Sequence, residues 1–260
     1  MLYFLTSFFF LPSHAGKVRK GTGKMLKQEF ILKSPIRILQ KATQGGLDKG
    51  NLGVFMARPG VGKTACLVHV ALDCLFKKQK VAHIGIGESV EKIQLWYSEI
   101  LSDLCKTFDM KDPKKLHEEI EQNRLILSYA PAAFTVKKLA QDLKELAEQG
   151  GVAPEVLLID GFDFRNLDSG WDTLAAFKYL AAERRMEIWF SAQTERDANM
   201  DGHGAIPAPC RDVENFFSVI LFLEPTGDTI HLKLLKDHDH PINLKLPLKL
   251  NPNTLLLLDE

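Results

Sequence analysis

Ala57-Arg58-Pro59-Gly60-Val61-Gly62-Lys63-Thr64 is the stretch on which the reading of the whole chain turns. An apolar run, Leu52 to Met56, leads into it, and a helix-like run, Ala65 to Phe76, leaves it. Strand, glycine-bearing turn, Lys-Thr and helix, in that order, predict a phosphate-cradling P-loop. Glycine at 60 and 62 lets backbone N–H groups turn inward and approach an anion closely. The helix that follows aims its positive dipole end at the same spot. Lys63 has the reach to meet β- and γ-phosphates, and the Thr64 hydroxyl is a candidate Mg²⁺ ligand. The candidate nucleotide-binding set is therefore Ala57, Arg58, Pro59, Gly60, Val61, Gly62, Lys63, Thr64 and Ala65. Its first position carries Ala57 where such loops carry Gly, and a small residue suffices there. A chance Gly-Lys-Thr in a surface loop is the competing reading, and the flanking strand and helix argue against it.

Outward from the loop, apolar runs alternate with helical patterns. Strands are expected at Val81–Ile86, Leu125–Tyr129, Val156–Asp160, Glu187–Ser191, Phe217–Leu223 and Thr229–Leu235. Helices are expected at 65–79, at Val90–Cys105 with Ile93, Trp96, Ile100 and Leu104 on one face, at Thr135–Gln149, and over most of 168–185. Asp109–Asn123 reads as a charged surface helix with a loop, and Ile36–Leu39 as a short helix or strand. The tail alternates through Ile242, Leu244, Leu246, Leu248 and Leu250. This order predicts an α/β fold: a mostly parallel central sheet flanked by helices, with antiparallel strands at the C-terminal end.

The 260 residues are 45% hydrophobic and 25% charged, ample for a buried core. Lys plus Arg and Asp plus Glu are equal at 33 each. Residues 1–24 contribute four basic and no acidic side chains, so the remainder holds 29 basic against 33 acidic groups, a net of −4. That mildly acidic body argues against tight non-specific DNA binding by this chain alone. The apolar run Leu2–Pro12 is too short to span a bilayer and lacks a basic segment before it. A membrane-associating tail, an export signal and a true start at Met25 compete there. The last is favoured, making 1–24 an atypical extension and 25–260 a single domain. Cys66, Cys74, Cys105 and Cys210 show no C-x-x-C spacing and read as buried reduced thiols, which suits the cytoplasm.

In a parallel α/β sheet, ligands gather at the carboxyl ends of the strands. The fourth strand delivers Asp160 there after four apolar residues, a Walker B pattern whose carboxylate supports Mg²⁺; an Asp opening an Asp160-Gly161 turn is the plainer reading. The second strand delivers Glu88, a candidate base for an attacking water, or simply an acid favoured at a helix start. The fifth delivers Gln193, whose amide is placed to sense a γ-phosphate, or to bond loop backbone. His203, His238 and His240 stand near aspartates, but no recognised ligand spacing joins them, so solvated loop histidines are expected. Trp96 and Trp171 are expected to pack on helices.

Taken together, Gly45-Gly46-Leu47-x-x-Gly50, the loop at 57–64, Glu88, Leu157-Leu158-Ile159-Asp160 and Ser191-Ala192-Gln193 resemble the RecA-type ATPase core. The closest branch is that of DnaB-type helicases and KaiC-like proteins. The resemblance spans roughly residues 40–250. It implies that ATP and Mg²⁺ are bound, with Lys63 on phosphate, Thr64 and Asp160 at the metal, Glu88 as catalytic glutamate and Gln193 as sensor. It also implies a homo-oligomer, ring or dimer, with nucleic acid as a further candidate partner facing the loop Thr194–Arg211. In the family, a Lys-x-Arg finger acts across the subunit boundary. The corresponding place reads Lys236-Asp237-His238, so Lys236 and His238 are the candidate trans-acting pair. A non-motor nucleotide-binding regulatory module is the alternative. A kinase-type phosphotransferase is a third reading, for which neither an acceptor pocket nor an Arg-rich lid is visible.

Overall fold

A computed structural model describes residues 34–43, 45–110, 112–151, 153–165, 170–195, 206–242 and 246–259. The extension at 1–24 and most of the loop 194–211, including His203, lie outside them. The centre of the fold is β1 (Leu52–Ala57), buried along its whole length. It joins β2 (Val81–Ile86), β3 (Arg124–Tyr129), β4 (Val156–Asp160), β5 (Glu187–Gln193), β6 (Val219–Thr226), β7 (Thr229–Asp237), β8 (Leu248–Leu250) and β9 (Leu257–Asp259) in one sheet of order β3-β2-β4-β5-β1-β6-β7-β8-β9. β1 to β6 run parallel. β7, β8 and β9 add on antiparallel, as the short turns predict. β6 is the exception to that prediction among the late strands. It is reached by a long crossover after β5 rather than a hairpin, so it lies parallel to β1.

Period-two alternation sorts the strand residues between two helical layers. On one side, Phe55, Leu158, Trp189 and Leu221 pack with α2 (Lys63–Phe76) and α3 (Val90–Thr107). On the other, Val54, Leu157, Ile159 and Phe190 pack with α5 (Val136–Gly150) and α6 (Gly170–Arg184). Among the described residues the remaining α-helices are α1 (Ile36–Ala42) and α4 (Pro113–Glu121). α3 buries Ile93, Ile100 and Leu104 as its spacing predicts, with Tyr97 and Leu101 beside them. Ser89 caps it by accepting from the Lys92 N–H. Thr135 caps α5 in the same way, and Gly151, in the left-handed region at φ 63°, ends it. Trp171 is exposed and meets Phe216 edge to face, 5.2 Å between centroids. All four cysteines are free and buried.

Several boundaries differ from expectation. α2 starts two residues earlier, at Lys63, and stops at Phe76 rather than at residue 79. Lys78 takes a left-handed φ of 65°, and the Gln79 N–H returns to the Cys74 carbonyl. Lys77 is thus the cap, and its ammonium reaches back to Asp73 at 2.5 Å. β1, β5 and β7 each run one or two residues further than their apolar runs, because ladder pairing continues to Ala57, Gln193 and Asp237. β6 begins at Val219, since a 3₁₀ turn, Arg211–Phe216, leads Phe217 into the core instead. Among the described residues no helix is long and apolar enough to cross a membrane.

The C-terminal hairpin closes over the first helical layer. The His69 Nε2 on α2 lies 2.9 Å from the Leu255 carbonyl oxygen and 3.2 Å from the Leu257 nitrogen. Leu250 presses on the phosphate loop so closely that a Cβ on Gly62 would collide with its methyl group. Burial lowers the pKa of His69 to about 4, and that of His83 on β2 also to about 4. Both are neutral in the fold at pH 7 and protonate near pH 6.5 in the unfolded chain. Their contribution is therefore present above pH 6.5 and lost as pH falls toward about 4. Urea unfolding should show stability falling with a slope of up to about 2.7 kcal/mol per pH unit between pH 6 and 4.5. His69→Asn should halve that fall; equal stability at pH 7 and pH 5 in the parent chain would contradict the assignment.

Candidate active site

The carboxyl ends of β1, β4 and β5 meet at the loop 58–62, and that junction organises the candidate residues. Ala57 is fully buried at the end of β1 and pairs with Gln193 at the end of β5. Its carbonyl accepts from the Thr194 N–H at 2.9 Å and from Lys63 Nζ at 3.1 Å. The Ala methyl group is accommodated, as expected for a small residue at this position. Gly62 caps α2 at φ 109°, a left-handed conformation that, with the Leu250 contact, admits no side chain. Arg58, Pro59 and Gly60 are exposed at the lip, while Ala65 is sealed in the helix.

Lys63 folds its ammonium back over the loop, donating to the carbonyls of Ala57 at 3.1 Å and Arg58 at 3.0 Å. Burial lowers its pKa, and Asp160 nearby opposes that shift. A part-buried cation on two carbonyl oxygens gains from an anion placed in the loop.

Asp160 lies at the end of β4, only 7% exposed. One carboxylate oxygen accepts from Thr64 Oγ1 at 2.7 Å, and the other accepts from Ser191 Oγ in a very short hydrogen bond. The Ser191 oxygen in turn accepts from the Gly161 N–H at 3.3 Å. This triangle joins the loop helix to β4 and β5. The turn at Gly161 is equally constrained: its φ is 85°, and a Cβ there would strike the Ile86 carbonyl oxygen. The Asp160-Gly161 turn and the carboxylate site are thus both present and do not exclude each other.

Glu88 follows β2 and precedes the α3 cap. Its carboxylate is 37% exposed and lies 2.7 Å from Lys92 Nζ one turn on. Its carbonyl accepts from Ser128 Oγ at 2.5 Å. Gln193 is exposed at the end of β5, level with Ala57. Lys63, Thr64 and Asp160 are brought into direct contact range, and Gln193 and Glu88 border them at neighbouring strand ends.

Lys236 and His238 are not part of this cluster. β7 runs antiparallel to β6, so its end lies at the opposite edge of the sheet, level with Val219 and Ile220. There Lys236 Nζ donates to the Glu214 carbonyl at 2.8 Å, and His238 Nδ1 sits 2.9 Å from Asp237 Oδ1. His238 and His240 are also not the solvated loop histidines expected from their spacing. They converge on one buried carboxylate, because His238 adopts a left-handed φ of 51° that folds the chain back on itself.

Two residues with clear contacts were not singled out by the sequence. Ser191 orients Asp160; its signal is a lone hydroxyl in an otherwise apolar strand beside one that ends in a carboxylate. Lys92 holds Glu88; its signal is the four-residue spacing on a helix.

No protein-family model matches the chain, and no curated protein matches it. Among solved structures, it is similar to the ATPase domain of a DnaB-type helicase. The two share 15% sequence identity at a TM-score of 0.62, over 87% of this chain and 90% of that one. The architecture is thus that of a RecA-like P-loop fold: mostly parallel sheet, flanking helices, antiparallel C-terminal strands.

Proposed function

We propose that the chain binds ATP with Mg²⁺ and hydrolyses it, coupling turnover to rearrangement of a nucleic-acid or protein assembly. The observation that carries this reading is the contact set of Lys63, Thr64, Asp160 and Ser191 at the mouth of a glycine-bearing loop. Lys63 exchanges its two loop carbonyls for β- and γ-phosphate oxygens, which relieves the desolvation that lowers its pKa. Gly60, Val61 and Gly62 offer backbone N–H groups, and α2 offers its positive end. Thr64 and Asp160 fit as the residues that hold Mg²⁺. A hydroxyl and a buried carboxylate 2.7 Å apart form an all-oxygen donor set. The ion bound there supplies charge neutralisation of the transferring phosphoryl group.

Glu88 takes the proton of the attacking water once Lys92 has moved off its carboxylate. Gln193, level with the loop, senses the γ-phosphate and passes its loss to the segment after β5. The working form is a homo-oligomer in the cytoplasm, where ATP is available and the four thiols stay reduced. Residues 25–260 form its single domain, and nucleic acid is a candidate partner of that assembly.

One set of observations favours a second reading, a nucleotide-binding regulatory module with little turnover. Glu88 is paired with Lys92, and Lys236 and His238 are bonded within their own chain. Particle size and ATPase rate, each with and without Mg-ATP and single-stranded DNA, separate the two. A larger assembly with DNA-stimulated turnover fits the motor, and a monomer that binds ATP without turnover fits the module.

Glu88→Gln should keep ATP binding and lower turnover by about 100-fold or more. Unchanged turnover would remove Glu88 from the mechanism. Ser191→Ala frees one oxygen of Asp160 and should weaken the Mg²⁺ dependence of turnover by about 10-fold or more, with nucleotide affinity in the absence of metal unchanged. An unaltered Mg²⁺ titration would show that Ser191 has no orienting role.

A further inference from the structure

At the sheet edge away from the phosphate loop, β7 ends in Lys236-Asp237-His238-Asp239-His240. The Asp237 side chain is only 5% exposed. His238 Nδ1 is 2.9 Å from Asp237 Oδ1, and His240 Nδ1 is 3.6 Å from Asp237 Oδ2. The three side chains each place a ligand atom within 4.8 Å of the others. Backbone geometry enforces the arrangement. The His240 N–H donates to the Asp237 carbonyl at 2.8 Å, and His238 sits in the left-handed region between them.

The proton count at His238 points to what the cluster holds. Its Nε2 faces the Leu47 carbonyl oxygen at 3.4 Å, and its Nδ1 faces the Asp237 carboxylate. Both neighbours only accept hydrogen bonds, whereas a neutral imidazole has one N–H to give. If Nε2 carries the proton toward Leu47, the Nδ1 lone pair points at a carboxylate. A cation bound by both removes that conflict, and a backbone carbonyl on the far nitrogen is the usual support of a metal-bound histidine. Lys236 does not supply the charge, because its ammonium is turned to the Glu214 carbonyl.

We propose that Asp237, His238 and His240 form a binding site for a divalent transition-metal ion of the Zn²⁺ class, separate from the Mg²⁺ site. Two imidazole nitrogens and one carboxylate oxygen suit such an ion better than Mg²⁺, which prefers oxygen throughout. Tetrahedral ligands at about 2.0–2.2 Å from the metal stand about 3.4 Å from one another, so small rotations of the two rings complete the geometry. His240 is half-exposed, which leaves the fourth position open to water. The ion ties the end of β7 to the Leu47 turn that feeds β1.

The test is calorimetric titration of the chelator-stripped full chain with Zn²⁺ in excess Mg²⁺. One ion should bind per chain, and the melting temperature should rise with it. His240→Ala, at a half-exposed ring, should weaken binding at least 10-fold and abolish the thermal shift while leaving the far-ultraviolet circular dichroism unchanged. Asp237→Asn should do the same, while His117→Ala and His203→Ala should bind like the parent. No saturable Zn²⁺ binding to the parent chain would overturn the proposal and leave a doubly protonated His238 as the source of charge. Equal binding by His240→Ala would overturn it as well.

Discussion

A carboxylate sealed from water must have its oxygens filled, and the way Asp160 meets that demand holds the site together. Thr64 from the loop helix fills one oxygen and Ser191 from β5 the other. Two elements far apart in sequence are thereby fixed against the end of β4. The loop is secured from a second direction by the Ala57 carbonyl, which receives both Lys63 and the Thr194 N–H. The glycines at 62 and 161 exist because backbone and side chains crowd them at this junction, so the chemistry at the strand ends and the packing of the sheet are one constraint.

Much of this was legible in the residue pattern. The apolar runs before Ala57 and Asp160 are long enough to be buried strands and end where a ligand-binding edge must lie. α3 and α5 announced themselves by four-residue spacing and by Ser89 and Thr135 at their starts. The ends of elements were harder. Lys77 to Lys80 look like a favourable helix C-terminus, yet Lys78 turns left-handed and Lys77 answers Asp73 instead of the helix dipole. Ser191 was visible as a residue and not as a partner, since its role depends on which strand lies beside β5. That strand order, with β5 between β4 and β1, is a property of the whole sheet.

The far edge of the sheet was the least legible part. Asp237, His238 and His240 fit no ligand spacing, because spacing rules assume helices or regular turns. Here a non-glycine residue with positive φ brings the rings together, and nothing in the identity of His238 foretells it. The same edge also carries Lys236 away from the phosphate loop of its own chain, a consequence of β7 running antiparallel to β6.

The contact of Leu250 with Gly62 gives the phosphate loop a debt to the last part of the chain to be made. On the ribosome, β1, the loop and α2 emerge early, while the hairpin that lies on them, and on which His69 closes, emerges at the end. Until then the apolar face of α2 has no cover on that side, and the loop lacks one of its walls. Nucleotide is thus offered a finished cradle only when synthesis is almost over, which keeps nascent chains from engaging it before the sheet is complete.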